Sequence, residues 1–302
     1  MADRDDLHTN PKGESMAHAQ TDYYVPHGSH WPIVGSIGLF TTAVGAAMFL
    51  NDKFGPWMLY AGLAIIIFMM FGWFGTVINE SLSGMYNQQV DHSFRQGMMW
   101  FIFSEVMFFA AFFGVLFYAR NLSVPWLLGM GSGLTTHEVL WSGYNQAWPT
   151  NGPADVGGDF HPMGAWGIPA LNTLLLLSSG VTITLAHWAL KSGERKKLVM
   201  WLAATVLLGA TFLGFQAYEY IHAYHEMNLT LHTGIYGSTF FMLTGFHGLH
   251  VTIGTIMLLV ILLRCMKGHF SADEHFGFEA VAWYWHFVDV VWLGLFIFVY
   301  VL

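Results

Sequence analysis

Few residues in this sequence could do chemistry, and those few lie inside long apolar runs. Glu105 stands alone in FIFSEVMFFAAFF, where a carboxyl is costly unless it finds a partner or water. Two roles fit it: a proton-handling or lipid-facing group, or a protonated carboxyl that hydrogen-bonds two helices. His247 and His250 are three apart in a second apolar run, so on a helix they share a face and could ligate haem, copper or iron. No completing ligand set accompanies them. A di-iron bundle needs repeated Glu-x-x-His elements, and only Glu219 with His222 has that spacing. His286 and Asp289, again three apart, read as a mutually satisfied pair. His18, His27 and His30 belong to a polar stretch, residues 1–30, and their irregular spacing reads as a solvated tail. The expectation is therefore no metal and no catalytic residue, with Glu219, His247, His286 and Asp289 as structural polar groups inside helices. The sequence has no phosphate loop, dinucleotide fingerprint or nucleophile triad, and no nucleic-acid partner is expected.

The elements that must hold these groups are transmembrane helices. Of 302 residues, 55% are hydrophobic and only 10% charged, against about 25% charged in ordinary soluble domains. Seven apolar runs have the length that a bilayer requires. They are placed at about 33–50, 57–78, 97–119, 166–188, 198–222, 236–263 and 279–302, within one membrane domain over 31–302. Stretches such as TLLLLSSGVTITLA lack the alternation of a barrel strand, so each run must satisfy its backbone as a helix. The fold class is thus all-α and integral to the membrane. The loop 120–165, rich in Gly and Pro, is expected to lie over the helices as irregular structure. The single cysteine, Cys265, excludes an internal disulfide and reads as a spectator near a helix end.

Positive charge is one-sided. Arg4, Lys12, Arg95, Lys191, Arg195, Lys196, Lys197, Arg264 and Lys267 fall on one side, with only Lys53 and Arg120 on the other. This predicts a cytosolic N-terminus, an external C-terminus and an external 120–165 loop. The tail has no apolar core of the kind a cleavable signal needs. Arg95, read as just before the third helix, and Arg264, read as just after the sixth, are at one headgroup level and could hold lipid phosphates. Two stripes of small residues, Gly35-Gly38-Thr42-Gly45 in the first helix and Gly245-Gly248-Thr252-Thr255 in the sixth, predict close helix–helix approach.

Longer stretches carry a resemblance. FRQGMMWFIFSEVMFFAAFF (Phe94 to Phe113), Trp148-Pro149-Thr150, LNTLLLLSSGVTITLAH (Leu171 to His187), Gln216-Ala217-Tyr218-Glu219-Tyr220, YGSTFFMLTGFHGLHVTIG (from Tyr236) and HFGFEAVAWYWHFVDVVW (His275 to Trp292) occur in order. Together they resemble subunit III of the haem-copper cytochrome c oxidases, over nearly the whole chain after Tyr23. The resemblance implies an accessory core subunit without a redox centre, docked with subunits I and II of a respiratory oxidase whose haem and copper lie in those partners and whose electron donor is cytochrome c. It implies a bacterial inner membrane, and two first helices splayed from the other five to form a V-shaped cleft filled with phospholipid. It marks Glu105 as the buried carboxyl beside that lipid, and Trp73, Glu80, Arg95, His250, Arg264 and His275 as lipid-contacting. It also gives HGLH, with His247 and His250, a role without metal. Departures from the family pattern are Phe74, Gly75 and Thr76 after Trp73, Tyr86 in place of a histidine, and a longer external segment over residues 152–167 that could meet a further partner. A quinol oxidase subunit III is the alternative within the superfamily, disfavoured because seven spans rather than five are present. A free-standing transporter would show half-to-half similarity, and none is found.

Overall fold

The computed structural model describes residues 28–53 and 55–302, so His18 and His27 of the tail lie outside the described residues. The seven long helices are α1 (Trp31–Leu50), α2 (Trp57–Leu82), α3 (Gln88–Tyr118), α4 (Ile168–Lys191), α5 (Arg195–Glu226), α6 (Gly234–Lys267) and α7 (Phe276–Leu295). Each is long and apolar enough to cross a membrane, and the protein is a multi-pass membrane protein with no strand among the described residues. Helix α3 continues through a π turn, Ala119–Ser123, into Val124–Leu127, and α7 ends in a second π segment, Phe296–Val301.

The helices outrun their apolar cores, which corrects two placements. Helix α3 starts at Gln88, nine residues before the apolar run, because the Asn87 side-chain oxygen accepts the Val90 N–H at 2.9 Å and caps the polar segment QQVDHSFRQ as helix. Arg95 therefore lies inside α3. Arg264 lies inside α6, which ends at Lys267 and is capped by Gly268 at φ 75°. Hydropathy marks where the chain is apolar, whereas caps and backbone bonds decide where the helix ends.

The described chain divides into two compact units, with the boundary between Phe94 and Arg95. In the first, α1 and α2 form a hairpin that packs backbone against backbone. A Cβ on Gly45 would lie 2.7 Å from the Met58 carbonyl carbon, and one on Gly62 2.7 Å from Thr42 Cα, so neither position has room for a side chain. The predicted α1 stripe is thus a packing surface. Trp31 adds one polar tie, its Nε1–H donating to Thr76 Oγ1 at 3.1 Å.

In the second unit, α5 packs on α4 and α6, and α7 packs on α4 and α6. The centre is aromatic: Trp285, Trp292, Phe212 and Phe240 are fully buried. Their polar edges are met across helices, as a low-dielectric interior requires. Trp285 Nε1–H donates to Ser179 Oγ at 2.8 Å and Trp292 Nε1–H to Thr173 Oγ1 at 2.9 Å, both joining α7 to α4. Thr182 and Thr205 join α4 to α5 at 2.8 Å, and Tyr220 and Thr244 join α5 to α6 at 2.7 Å. The predicted α6 stripe does not behave like that of α1: among the described residues, a Cβ on Gly248 would meet nothing within 4 Å, and one on Gly245 only the Tyr220 hydroxyl. The close approaches in this unit are instead at Gly209 and Gly254, which make room for Trp285.

The expected 120–165 loop begins as the continuation of α3 to Leu127, then holds a 3-10 turn, Gly131–Gly133, and a short helix, Leu134–Leu140, and only its remainder up to residue 165 is irregular. Its last part docks on the α5–α6 turn, with Asn228 Nδ2 donating to the carbonyls of Gly157 and Asp159 and Phe160 stacked on Tyr236. The segment that reads as longer than in typical relatives is therefore used, in part, within the chain itself.

Candidate functional site

At one end of the second unit, three helices bring charged and titratable groups together. Glu279, in the first turn of α7, accepts from Arg95 of α3 through Oε2. Its other oxygen, Oε1, lies 3.4 Å from His187 Nε2 at the end of α4 and 3.3 Å from His275 Nε2 at the start of α7. The two imidazole nitrogens are 3.3 Å apart. Glu279 and His275 are buried, and His187 keeps 22% of its side chain exposed. The ring of Phe276 lies under the Arg95 guanidinium at 5.6 Å. Sequence reading takes His275 and Arg95 as lipid contacts and does not single out His187 or Glu279. The four-residue spacing of His275 and Glu279 at a helix start was the available signal, but His187 is 88 residues away in sequence and only folding brings it in.

Beside this group, near the end of α6, the Arg264 guanidinium lies 4.3 Å over the ring of Phe270. It is half-buried, its Nε has no hydrogen-bond partner, and among the described residues no carboxylate pairs with it. Arg195 donates to the Met266 carbonyl and so covers the C-terminal end of α6.

Glu105 of α3 finds its partner in α6: His250 Nε2 lies 2.8 Å from Glu105 Oε2. His250 Nδ1 is 2.6 Å from the Phe246 carbonyl, which can only accept, so Nδ1 carries a proton. One further proton is then shared between Nε2 and Oε2. The pair is a carboxylic acid on a neutral imidazole or a carboxylate on an imidazolium, with zero net charge in either form. Of the two roles expected for Glu105, the helix-bridging one has a visible partner in His250.

The histidines of HGLH do not converge. His247 Nε2 donates to the Val288 carbonyl at 3.1 Å, and its ring packs against Trp292 and Phe212, away from His250. Glu219 accepts from Tyr300 at 2.7 Å while His222 turns to Glu226, so the Glu-x-x-His element is not a chelate. The expected His286–Asp289 pair is not formed. His286 reaches Thr184 at 3.4 Å, and Asp289 Oδ1 is buried without a partner among the described residues. Both side chains flank Gly180 of α4, where the missing side chain leaves them space; neighbours on one helix face each met the opposing helix instead of each other.

Trp73 and Glu80 belong to the first unit. Trp73 is half exposed and stacked on Phe74, and Glu80 accepts from the Tyr86 hydroxyl at 2.8 Å. The tyrosine that departs from the family pattern thus anchors the acid at the end of α2.

The chain matches the family model of cytochrome c oxidase subunit III over residues 21–302. The cytochrome c oxidase subunit 3 of Arabidopsis thaliana is 42% identical over 289 residues, covering 95% of this chain and 97% of that protein. The subunit 3 of Branchiostoma lanceolatum is 43% identical over 284 residues, with 92% and 97% covered. The subunit 3 of Squalus acanthias is 39% identical over 286 residues, with 94% and 98% covered.

Proposed function

The chain belongs to the cytochrome c oxidase subunit III family, and from that premise we propose that it is an accessory, non-catalytic subunit of a proton-translocating respiratory oxidase. In this reading it docks on subunit I beside subunit II. Haem and copper belong to those partners, and cytochrome c delivers electrons to the complex. In this reading the membrane is a bacterial cytoplasmic membrane and the N-terminus is in the cytosol; the nine-to-two distribution of Lys and Arg in the sequence supports that orientation. The chain's task is to hold phospholipid against the oxidase, to cover a flank of subunit I and to sustain proton uptake there.

The observation that supports the lipid role is Arg264. A half-buried guanidinium that no carboxylate neutralises among the described residues has a charge suited to an anion. At the positive end of a membrane protein, a lipid phosphate supplies that charge. Arg95 differs, because Glu279 already neutralises much of its charge; we assign it a supporting role, with Trp73, Glu80 and His250 as lesser lipid contacts. The Glu105–His250 pair fits a group that holds α3 to α6 beside the lipid without adding net charge.

Two measurements test this. Purification of the tagged chain in mild detergent is expected to bring haem with a large co-purifying subunit; a chain free of haem and partners would overturn the reading. Arg264→Ala in the assembled oxidase is expected to lose bound phospholipid and shorten the catalytic lifetime, with initial turnover nearly unchanged. Immediate loss of turnover in a normally assembled complex would sink the lipid role.

A further inference from the structure

We propose that His187, His275 and Glu279 form a binding site for a divalent transition-metal ion of the zinc class. His187 Nε2, His275 Nε2 and Glu279 Oε1 form a triangle whose edges are 3.3, 3.4 and 3.3 Å. Zinc bound by imidazole nitrogen and carboxylate oxygen at about 2.0–2.2 Å in a tetrahedron sets neighbouring ligand atoms about 3.3–3.6 Å apart. The three atoms therefore already stand at the corners of one face of such a tetrahedron, and the fourth corner is left for water.

Hydrogen bonding alone explains the triangle poorly. Each edge needs one proton between two lone pairs. Two neutral imidazoles have one N–H each, and if both aim at Oε1, the two nitrogens face each other at 3.3 Å as donor against donor. If one is turned to serve the other, an edge to Oε1 is left with lone pair against lone pair. A cation at the centre makes all three contacts favourable together.

The surroundings fit a nitrogen-preferring ion. Two imidazoles and one carboxylate favour zinc over magnesium or calcium, which take oxygen sets. Arg95 on the far oxygen, Oε2, fixes the carboxylate plane and leaves Oε1 to the metal, as an outer partner does in metal sites. Its positive charge also weakens the site, which suits a regulatory or structural ion bound from solution better than a permanent one. The partly exposed face of His187 gives an ion access, and the bound ion would tie the end of α4 to the start of α7. His275 would then be a ligand and not a lipid contact.

The test uses the protein complex as extracted from its membrane, cleared of metal with a chelator and re-exposed to zinc chloride. Wild-type protein is expected to retain one more zinc per chain than His187→Gln or Glu279→Gln, and to gain thermal stability on zinc addition that His187→Gln does not. The Glu279 variant also loses the Arg95 ion pair; if it fails to accumulate, His187→Gln, at the most exposed corner, carries the comparison. Zinc-edge X-ray absorption, taken as wild type minus variant, should show two imidazoles and oxygen at about 2.0–2.2 Å. Equal zinc content in wild type and His187→Gln, or a wild-type spectrum without a two-imidazole component, would overturn the proposal. Because all three ligands belong to this chain, neither result depends on which oxidase it joins.

Discussion

The α1–α2 hairpin and the five helices from α3 to α7 are equally apolar and are held together by different means. Mean hydropathy of the best windows is 1.9 and 2.2 in the hairpin and 1.6 to 2.1 in the other five. Yet the buried residues of α1 and α2 are glycines, while α7 buries Trp285, Trp292, Phe287 and Asp289. In a bilayer, apolar side chains gain little by leaving lipid for protein, so hydropathy does not decide association. The hairpin gains its stability from backbones brought close enough for many weak contacts. The larger unit gains it from fitted aromatic rings and from hydrogen bonds between helices that lipid cannot supply.

The comparison can be broken most forcefully at Trp285→Ala. The indole fills the space left by Gly209 and Gly254 and donates to Ser179, so its loss opens a cavity and removes a hydrogen bond between α7 and α4. A destabilisation of about 3–5 kcal/mol is expected, read by unfolding in mixed detergent micelles, with hairpin packing unchanged. A loss below about 1 kcal/mol would mean that the aromatic centre is not what holds the bundle. Gly62→Leu attacks the other design. It forces α2 away from Thr42 and is expected to cost about 1–3 kcal/mol. Cross-linking between cysteines engineered into α1 and α2 should fall, and the one native cysteine, buried Cys265, leaves that assay clean. Undiminished cross-linking would show that the glycine contact is dispensable. The smallest effect belongs to Glu105→Gln. An amide N–H can donate to His250 Nε2 as an acid O–H would, so a neutral pair is preserved and the change should stay under about 1 kcal/mol with normal proton translocation. A large loss of translocation in assembled enzyme would show that the charged form matters.

The sequence was informative where composition and local order suffice. Long apolar runs announce helices because a backbone in hydrocarbon has no other way to satisfy itself, and all seven are present. The extended matches around Glu105, HGLH and the last helix identified the family, which the match over residues 21–302 confirms. Stripes were read less well. Gly35, Gly38 and Gly45 are buried in contact, whereas Gly248 is not approached, since a stripe records that approach is possible and says nothing of what approaches. Same-helix spacing misled in the same way at His286 and Asp289, which face α4 rather than each other.

By itself, then, the sequence determined the class, the number of membrane-length helices and the family, because each follows from composition, from the length of local runs or from the order of long matches. Only the tertiary structure decided the partners. Arg95 meets Glu279, Glu105 meets His250, and His187 joins His275 and Glu279. Each of these contacts sets a side chain of one helix against another that is distant in sequence, and helix spacing carries no record of which face a distant helix will cover. Arg264 is the complement of that rule: among the described residues, folding leaves its charge without a carboxylate, and a lipid phosphate is the partner proposed for it.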